Sequence, residues 1–230
     1  MVTIKYKERF KKDHFERGEW QENRLVCGID EVGRGCLAGP VVVAAAILFP
    51  NKKSSLIKDS KLLDSKELEK AYKWLLCNSW HSVALVNHRD IDMYNIYYAT
   101  LRAMKRATMQ LFSNCPQKPS IILVDAMPLN LAKTSYEQIP LYHFPFGESK
   151  SSSIAAASIL AKVKRDELMR RMSTSFPQYH FARHKGYCTK LHQEAVSKHG
   201  RSIIHRLRFL ENKPFAQGEQ ENEGEQQSLC

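Results

Sequence analysis

Short apolar runs of strand length alternate along this chain with stretches whose apolar residues recur every third or fourth position, and that alternation leaves few folds open. Residues 24–30, 41–48, 81–87, 120–125 and 139–144 read as strands, the second an unbroken VVVAAAIL. Between them Ser65 is placed to cap a helix through about Asn78, with Glu67 and Glu69 in its first turn. Ile91, Tyr94, Tyr98, Leu101 and Met104 give residues 90–112 a helical period. Residues 151–172 read as a long helix opened by Ser151, Ser152 and Ser153, and Thr189 can cap a later helix that Gly200 ends. Strands alternating with helices make an α/β domain over 25–172, followed by a helical C-terminal extension over 173–215. Residues 1–24 form a lead-in of mixed charge. The segment 216–230, dominated by Gln, Glu and Gly, is expected to be disordered.

In such sheets, sites form beyond the carboxyl ends of the strands. Asp30, Glu31 and Asp125 stand at strand ends, and Glu148 lies just after the fifth strand, where a helix is about to begin. A lone acid there is usually a turn residue or a helix cap. Several together are harder to explain in a chain this short of acids. Its formal net charge is +11, and four of its acids lie in 216–230, which leaves +15 on the rest. Clustered carboxylates repel and raise one another's pKa unless a cation holds them. Hard oxygen ligands suit Mg²⁺ or Mn²⁺, and two such ions about 4 Å apart can bracket a scissile phosphate. A body this basic favours a polyanionic partner, because Lys and Arg release counterions from phosphates. An acidic metal pocket in a basic protein is the combination that phosphodiester hydrolysis requires.

Other chemistries fit less well. Gly33, Gly35 and Gly39 follow a strand, but their spacing is not the dinucleotide fingerprint, and Asp30 and Glu31 would repel a pyrophosphate. His184, Cys188 and His192 fall every four residues like soft metal ligands; Gly186 interrupts a helix there, and surface or core histidines are the better reading. Lys61, Lys150 and Lys162 are candidates for phosphate contact or plain solvated lysines. The six cysteines show no paired spacing, and the N-terminal residues lack the apolar core of a signal peptide. The most apolar run, 41–49, is too short to span a bilayer. A cytoplasmic protein with reduced thiols and no membrane contact is expected.

The segments GIDEVGRGCLAGPVVVAAAIL (28–48), KDSKLL (58–63), VDA (124–126), ESKSSSIAAASILAKVKRDELM (148–169) and HKGYCTKLH (184–192) together resemble ribonuclease HII, in that family's order. The resemblance implies a ribonuclease H-like mixed five-stranded sheet flanked by helices. It implies a monomeric endonuclease using two Mg²⁺ or Mn²⁺ ions to cut the RNA strand of RNA–DNA hybrids and to incise 5′ of ribonucleotides embedded in duplex DNA. The family's four metal-binding acids fall on Asp30, Glu31, Asp125 and Glu148. Its substrate-binding residues fall on Gly33, Arg34, Gly35 and Tyr187, the glycines letting the backbone approach a ribose 2′-hydroxyl. Two positions depart from the pattern. Cys36 stands where proline is usual, and Glu148 stands where ribonuclease HII has aspartate and the related ribonuclease HIII has glutamate. The competing readings are a ribonuclease HIII-like enzyme preferring ribonucleotide runs and a catalytically inactive nucleic-acid-binding module.

Overall fold

The computed structural model describes residues 4–5, 11–50, 52, 54–211 and 213. Its strands are β1 (Ile4–Lys5), β2 (Val26–Val32), β3 (Val41–Leu48), β4 (Ser79–Val86), β5 (Ile121–Asp125) and β6 (Leu141–Phe144). They form one mixed sheet in the order β1-β6-β5-β2-β3-β4. The β2–β3 and β3–β4 pairs are antiparallel; β2–β5, β5–β6 and β6–β1 are parallel. The sheet has six strands where the sequence predicts five. The addition, β1, pairs Ile4 with Tyr142 and Lys5 with His143 at the edge. Two residues carry no alternation of their own, so only the partner strand reveals them.

Helices cover both faces, and β3 shows why. All eight of its residues are buried. Val41, Val43, Ala45 and Ile47 share a core with α3 (His88–Asn114), whereas Val42, Ala44, Ala46 and Leu48 pack with α2 (Ser65–Asn78) and α5 (Ser152–Ser175). A strand apolar on both alternations needs a layer on each side. The cap of α2 is Asp64, one residue before the predicted Ser65. Its carboxylate accepts from the amides of Lys66 and Glu67 while Glu67 reaches back to the Asp64 amide, and this reciprocal pair outcompetes a lone serine. Helix α3 exceeds its predicted span at both ends and breaks at Asn95, whose side chain caps the amides of Tyr97 and Tyr98. Ser151 caps α5, accepting from the Ile154 amide at 3.1 Å.

One glycine sets the depth at which α5 lies on the sheet. A Cβ at Gly28 would meet the Ser153 carbonyl carbon at 2.1 Å, so only hydrogen fits between the central strand and the start of the helix. On the same side, α1 (His14–Gln21), whose Trp20 packs with α5, leads into β2. Beyond α5, the short helix α6 (Phe181–His184) and α7 (Lys190–His199) enclose Met169, Tyr179, Phe181, Ala195, Val196 and Ile204. Thr189 and Gly200 bound α7 as predicted. His184 stacks on His192 with ring centroids 4.3 Å apart, and His192 Nε2 lies 3.0 Å from His205 Nε2. Cys188 is exposed outside this cluster, so these histidines pack rather than form a ligand set with it. The segment 216–230 lies outside the described residues. No helix among the described residues is long and apolar enough to cross a membrane.

Candidate active site

Strands β2 and β5 pair in parallel register up to Ile29 and Val124, so the next residues, Asp30 and Asp125, stand side by side. Cys27 and Ile29 face the α3 side of the sheet, and alternation turns Asp30 toward α5. Asp125 shares that face, because Ile122 and Val124 are on the other. Strand β2 continues to Val32, two residues past its predicted end, which makes Glu31 a strand residue on the opposite alternation. Glu148 comes from α4 (Gly147–Lys150), a single turn tied to β5 by the Gly147 amide, which donates to Asp125 Oδ1 at 2.7 Å. Its carboxylate is held from three directions. Ser158 of α5 donates to Oε1, Ser60 donates to the same oxygen at 3.4 Å, and Lys61 Nζ lies 3.1 Å from Oε2.

The electrostatics are those of a crowded anionic pocket. Asp30 is only 3% exposed. Burial, then the charges of Glu31, Asp125 and Glu148, push its pKa well above the carboxylate range, and the Ser158 hydroxyl opposes them. Burial lifts Glu31 to about 7 against the pull of Arg34, whose Nη1 lies 3.3 Å from Oε1. Asp125 is raised by burial, opposed by the Gly147 amide and Lys61. Glu31 Oε2 is buried with no hydrogen-bond partner among the described residues. An orphaned, buried carboxylate oxygen beside two other acids costs free energy that a cation from outside the chain would recover. The donors are all hard oxygens, which suits Mg²⁺ or Mn²⁺. No three His, Cys, Asp or Glu side chains among the described residues already form a metal cage. Glu148 is bonded to Lys61 and two serines, and Asp125 to the Gly147 amide.

The remaining sequence-predicted residues gather beside this pocket. Gly33 has φ +97°, and a Cβ there would sit 2.1 Å from Arg165 Nε, so the chain itself demands glycine. At Gly35 a Cβ would meet no heavy atom within 4 Å. A side chain would therefore have room at Gly35, whereas Gly33 is fixed by its own fold. Cys36 pairs with Tyr187 in an isolated bridge, which brings the half-exposed Tyr187 ring to the edge of the Gly-Arg-Gly loop. Of the three candidate lysines, Lys61 meets the acids, Lys150 donates to the Pro145 carbonyl, and Lys162 pairs with Asp166 at 3.0 Å. Sequence reasoning missed Ser60 and Ser158, which meet Glu148, and the buried Arg165 and Arg206 behind the loop.

Comparison with known proteins identifies the family. The family model for Ribonuclease HII matches residues 27–212. Ribonuclease HII of Chlorobium chlorochromatii is 44% identical over 203 residues, covering 85% of this chain and 94% of that protein. Ribonuclease HII of Lactobacillus gasseri is 43% identical, covering 90% of this chain and 78% of that protein. Among solved structures, the fold resembles that of the Archaeoglobus fulgidus PCNA–ribonuclease HII complex, at 22% identity with a TM-score of 0.68 over 85% of this chain and 98% of that one. It also resembles Bst ribonuclease HIII in complex with Mn²⁺, at 21% identity with a TM-score of 0.63 over 83% of this chain and 63% of that one. With its family model matched across nearly the whole described body and its acids gathered at the ends of β2 and β5, this chain belongs to the ribonuclease HII family.

Proposed function

We propose that this ribonuclease H cuts the RNA strand of RNA–DNA hybrids and incises 5′ of single ribonucleotides in duplex DNA, with Asp30, Glu31, Asp125 and Glu148 holding two divalent ions. The observation that carries the reading is geometric: Asp30 and Asp125 stand side by side at the ends of β2 and β5, Glu148 is tied to that end through the Gly147 amide, and the neighbouring Glu31 Oε2 is buried without a partner among the described residues. When bound, two such cations supply Lewis acidity on both sides of the scissile phosphate. Asp30, buried beside Glu31 and Asp125, would be among the residues that hold them.

The chain's own groups do the rest. Lys61 has a side chain 80% exposed, so it can leave Glu148 and follow a phosphate oxygen of the substrate. Ser60 and Ser158 keep Glu148 oriented while Lys61 moves. Arg34 restrains Glu31, and the open face at Gly35 admits a sugar closely enough for backbone groups to meet a 2′-hydroxyl. Tyr187 offers a ring for the sugar beside the junction. The protein acts as a monomer on its duplex. Glutamate at 148 favours a second reading, a ribonuclease HIII-like preference for ribonucleotide runs. An inactive binding module fits poorly, because unused buried acids would only repel phosphate.

Two duplexes decide among these, one carrying a single ribonucleotide and one a full RNA–DNA hybrid, each assayed with Mg²⁺ and with Mn²⁺. The proposal expects both to be cut, the first on the 5′ side of the ribonucleotide. Cleavage of the hybrid alone would favour the second reading, and cleavage of neither would overturn both.

A further inference from the structure

Arg165 and Arg206 are both fully buried, yet neither forms an ion pair among the described residues. A guanidinium out of water and without a carboxylate must find acceptors elsewhere. All of their donors but Arg165 Nη1, which has no partner among the described residues, find them on one loop. Arg206 donates from Nη2 to the Gly33 carbonyl at 2.8 Å, from Nη1 to the Arg34 carbonyl at 2.8 Å, and from Nε to the Gly39 carbonyl at 3.0 Å. Arg165 donates from Nε to the Pro40 carbonyl at 3.0 Å and from Nη2 to the Ala38 carbonyl at 3.4 Å, and its guanidinium lies 5.4 Å from the centre of the Tyr187 ring. Backbone bonds from Leu37 to Gly186, Arg206 to Leu37 and Gly39 to Ile204 stitch the same loop to the C-terminal segments.

The direction of these bonds fixes what the loop shows to solvent. A trans peptide points its carbonyl and its N–H to opposite sides, and all peptides here are trans. Since Arg206 draws in the carbonyls of Gly33 and Arg34, the amides of Arg34 and Gly35 face away from it. Among the described residues neither amide finds an acceptor, and the far side is open at Gly35. Two outward donors on successive residues make an acceptor-binding concavity.

We propose that Arg206 is a positioning residue for ribonucleotide recognition, turning the Arg34 and Gly35 amides outward to meet the 2′-oxygen of the substrate. The inference rests on the reading that the Gly-Arg-Gly loop contacts the ribose. Lysine at 206 would keep the charge but has one nitrogen where three now bind, so the two peptides could rotate. Arg165 secures the far end of the loop and the Tyr187 ring, not these peptides.

The test uses the full chain and two duplexes that differ only at one position, a ribonucleotide or its 2′-deoxy-2′-fluoro analogue. For Arg206→Lys we expect kcat/KM on the ribonucleotide duplex to fall about 10- to 100-fold. The preference for ribose over the fluoro analogue should shrink with it, while duplex affinity stays within about twofold. Each rate is divided by the folded fraction from circular dichroism, and Arg206→Gln, which keeps two N–H donors without the charge, serves should the lysine variant not fold. An unchanged ribose preference in a folded variant overturns the proposal, leaving Arg206 a purely structural residue. If wild type itself shows no preference for ribose, the underlying reading of the loop fails, and the proposal with it.

Discussion

At the carboxyl ends of β2 and β5, Asp30, Glu31 and Asp125 crowd together, and burial lifts all three toward protonation. In the C-terminal clamp, Arg165 and Arg206 are buried just as deeply, but most of their donors end on carbonyl oxygens of the same chain. Burying a charge costs much unless it is paired. The clamp meets most of that cost from within the fold, leaving only Arg165 Nη1 without a partner among the described residues. The acid pocket leaves Glu31 Oε2 without a partner and holds few cations, so its balance has to come from outside. Variants in the two regions should therefore move activity and stability in opposite senses.

The largest effect is expected at Asp30. Asp30→Asn keeps the shape and removes the central charge, and should lower cleavage by more than ~10²-fold, comparable to losing a group that organises transition-state charge. Duplex binding should hardly change, because the phosphate contact proposed for Lys61 does not run through Asp30. The comparison also requires the melting temperature in the presence of a chelator to hold or rise, since one source of repulsion among buried acids has gone. Parallel cleavage assays and thermal melts check both halves. A variant that melts markedly earlier would show that Asp30 belongs with the clamp as a structural residue.

Glu148 should give the next effect. Its extra methylene places the carboxylate about 1.5 Å further from the backbone than aspartate would. Mg²⁺ demands near-ideal octahedral geometry, whereas Mn²⁺ binds such ligands with less penalty for misplacement. Mn²⁺ should thus support at least as much activity as Mg²⁺. Glu148→Asp should be tolerated and Glu148→Gln should lose roughly tenfold or more, by loss of one metal-ligand charge. Wild-type rates from Glu148→Gln with either metal would reduce Glu148 to an acid favouring the start of its own helix turn.

What could be read from sequence divides along the same line. Helix α7 was legible because Thr189 and Gly200 act on their immediate neighbours. The acids were legible because a carboxylate closing an apolar strand is conspicuous, and the two-residue overrun of β2 moved only the face on which Glu31 lies. The break at Asn95 was hidden, since the apolar period continues through it and only φ 62° reveals it. Ser60 and Ser158 meet 2.9 Å apart from 98 positions away, a contact no local pattern encodes. Arg165 and Arg206 were missed for a physical reason: arginine is nearly always solvated, and burial of one becomes visible only with the carbonyls that receive it. KDSKLL held the one available hint, placing Lys61 within a motif but not against Glu148.

The smallest effect concerns the histidines of the C-terminal region, and it tests whether that region is finished within the fold. Burial, aided by neighbouring rings, lowers His192 to about 4 and His205 to about 3. The His192 ring nitrogen Nδ1 lies 2.9 Å from the Tyr187 carbonyl, and Ser202 donates its amide to His205 Nδ1 at 2.9 Å. Both folded values lie below the ordinary histidine value near 6.5, so on acidification the unfolded chain takes up protons first. The stability these rings confer is complete above about pH 6.5 and is lost as pH falls toward their folded values. By pH 5 the loss amounts to at most about 2 kcal/mol per ring. Urea midpoints at pH 7.5 and pH 5 measure it, and His205→Gln should flatten the difference by one ring's share while lowering stability at pH 7.5. If the variant keeps the full pH dependence, the protons enter elsewhere, and the contrast between a self-contained clamp and an unfinished acid pocket loses its stability half. If the slope flattens while Asp30→Asn leaves the same slope untouched, the two regions are energetically separate, and the acid-induced loss of stability belongs to the histidines rather than to the carboxylates.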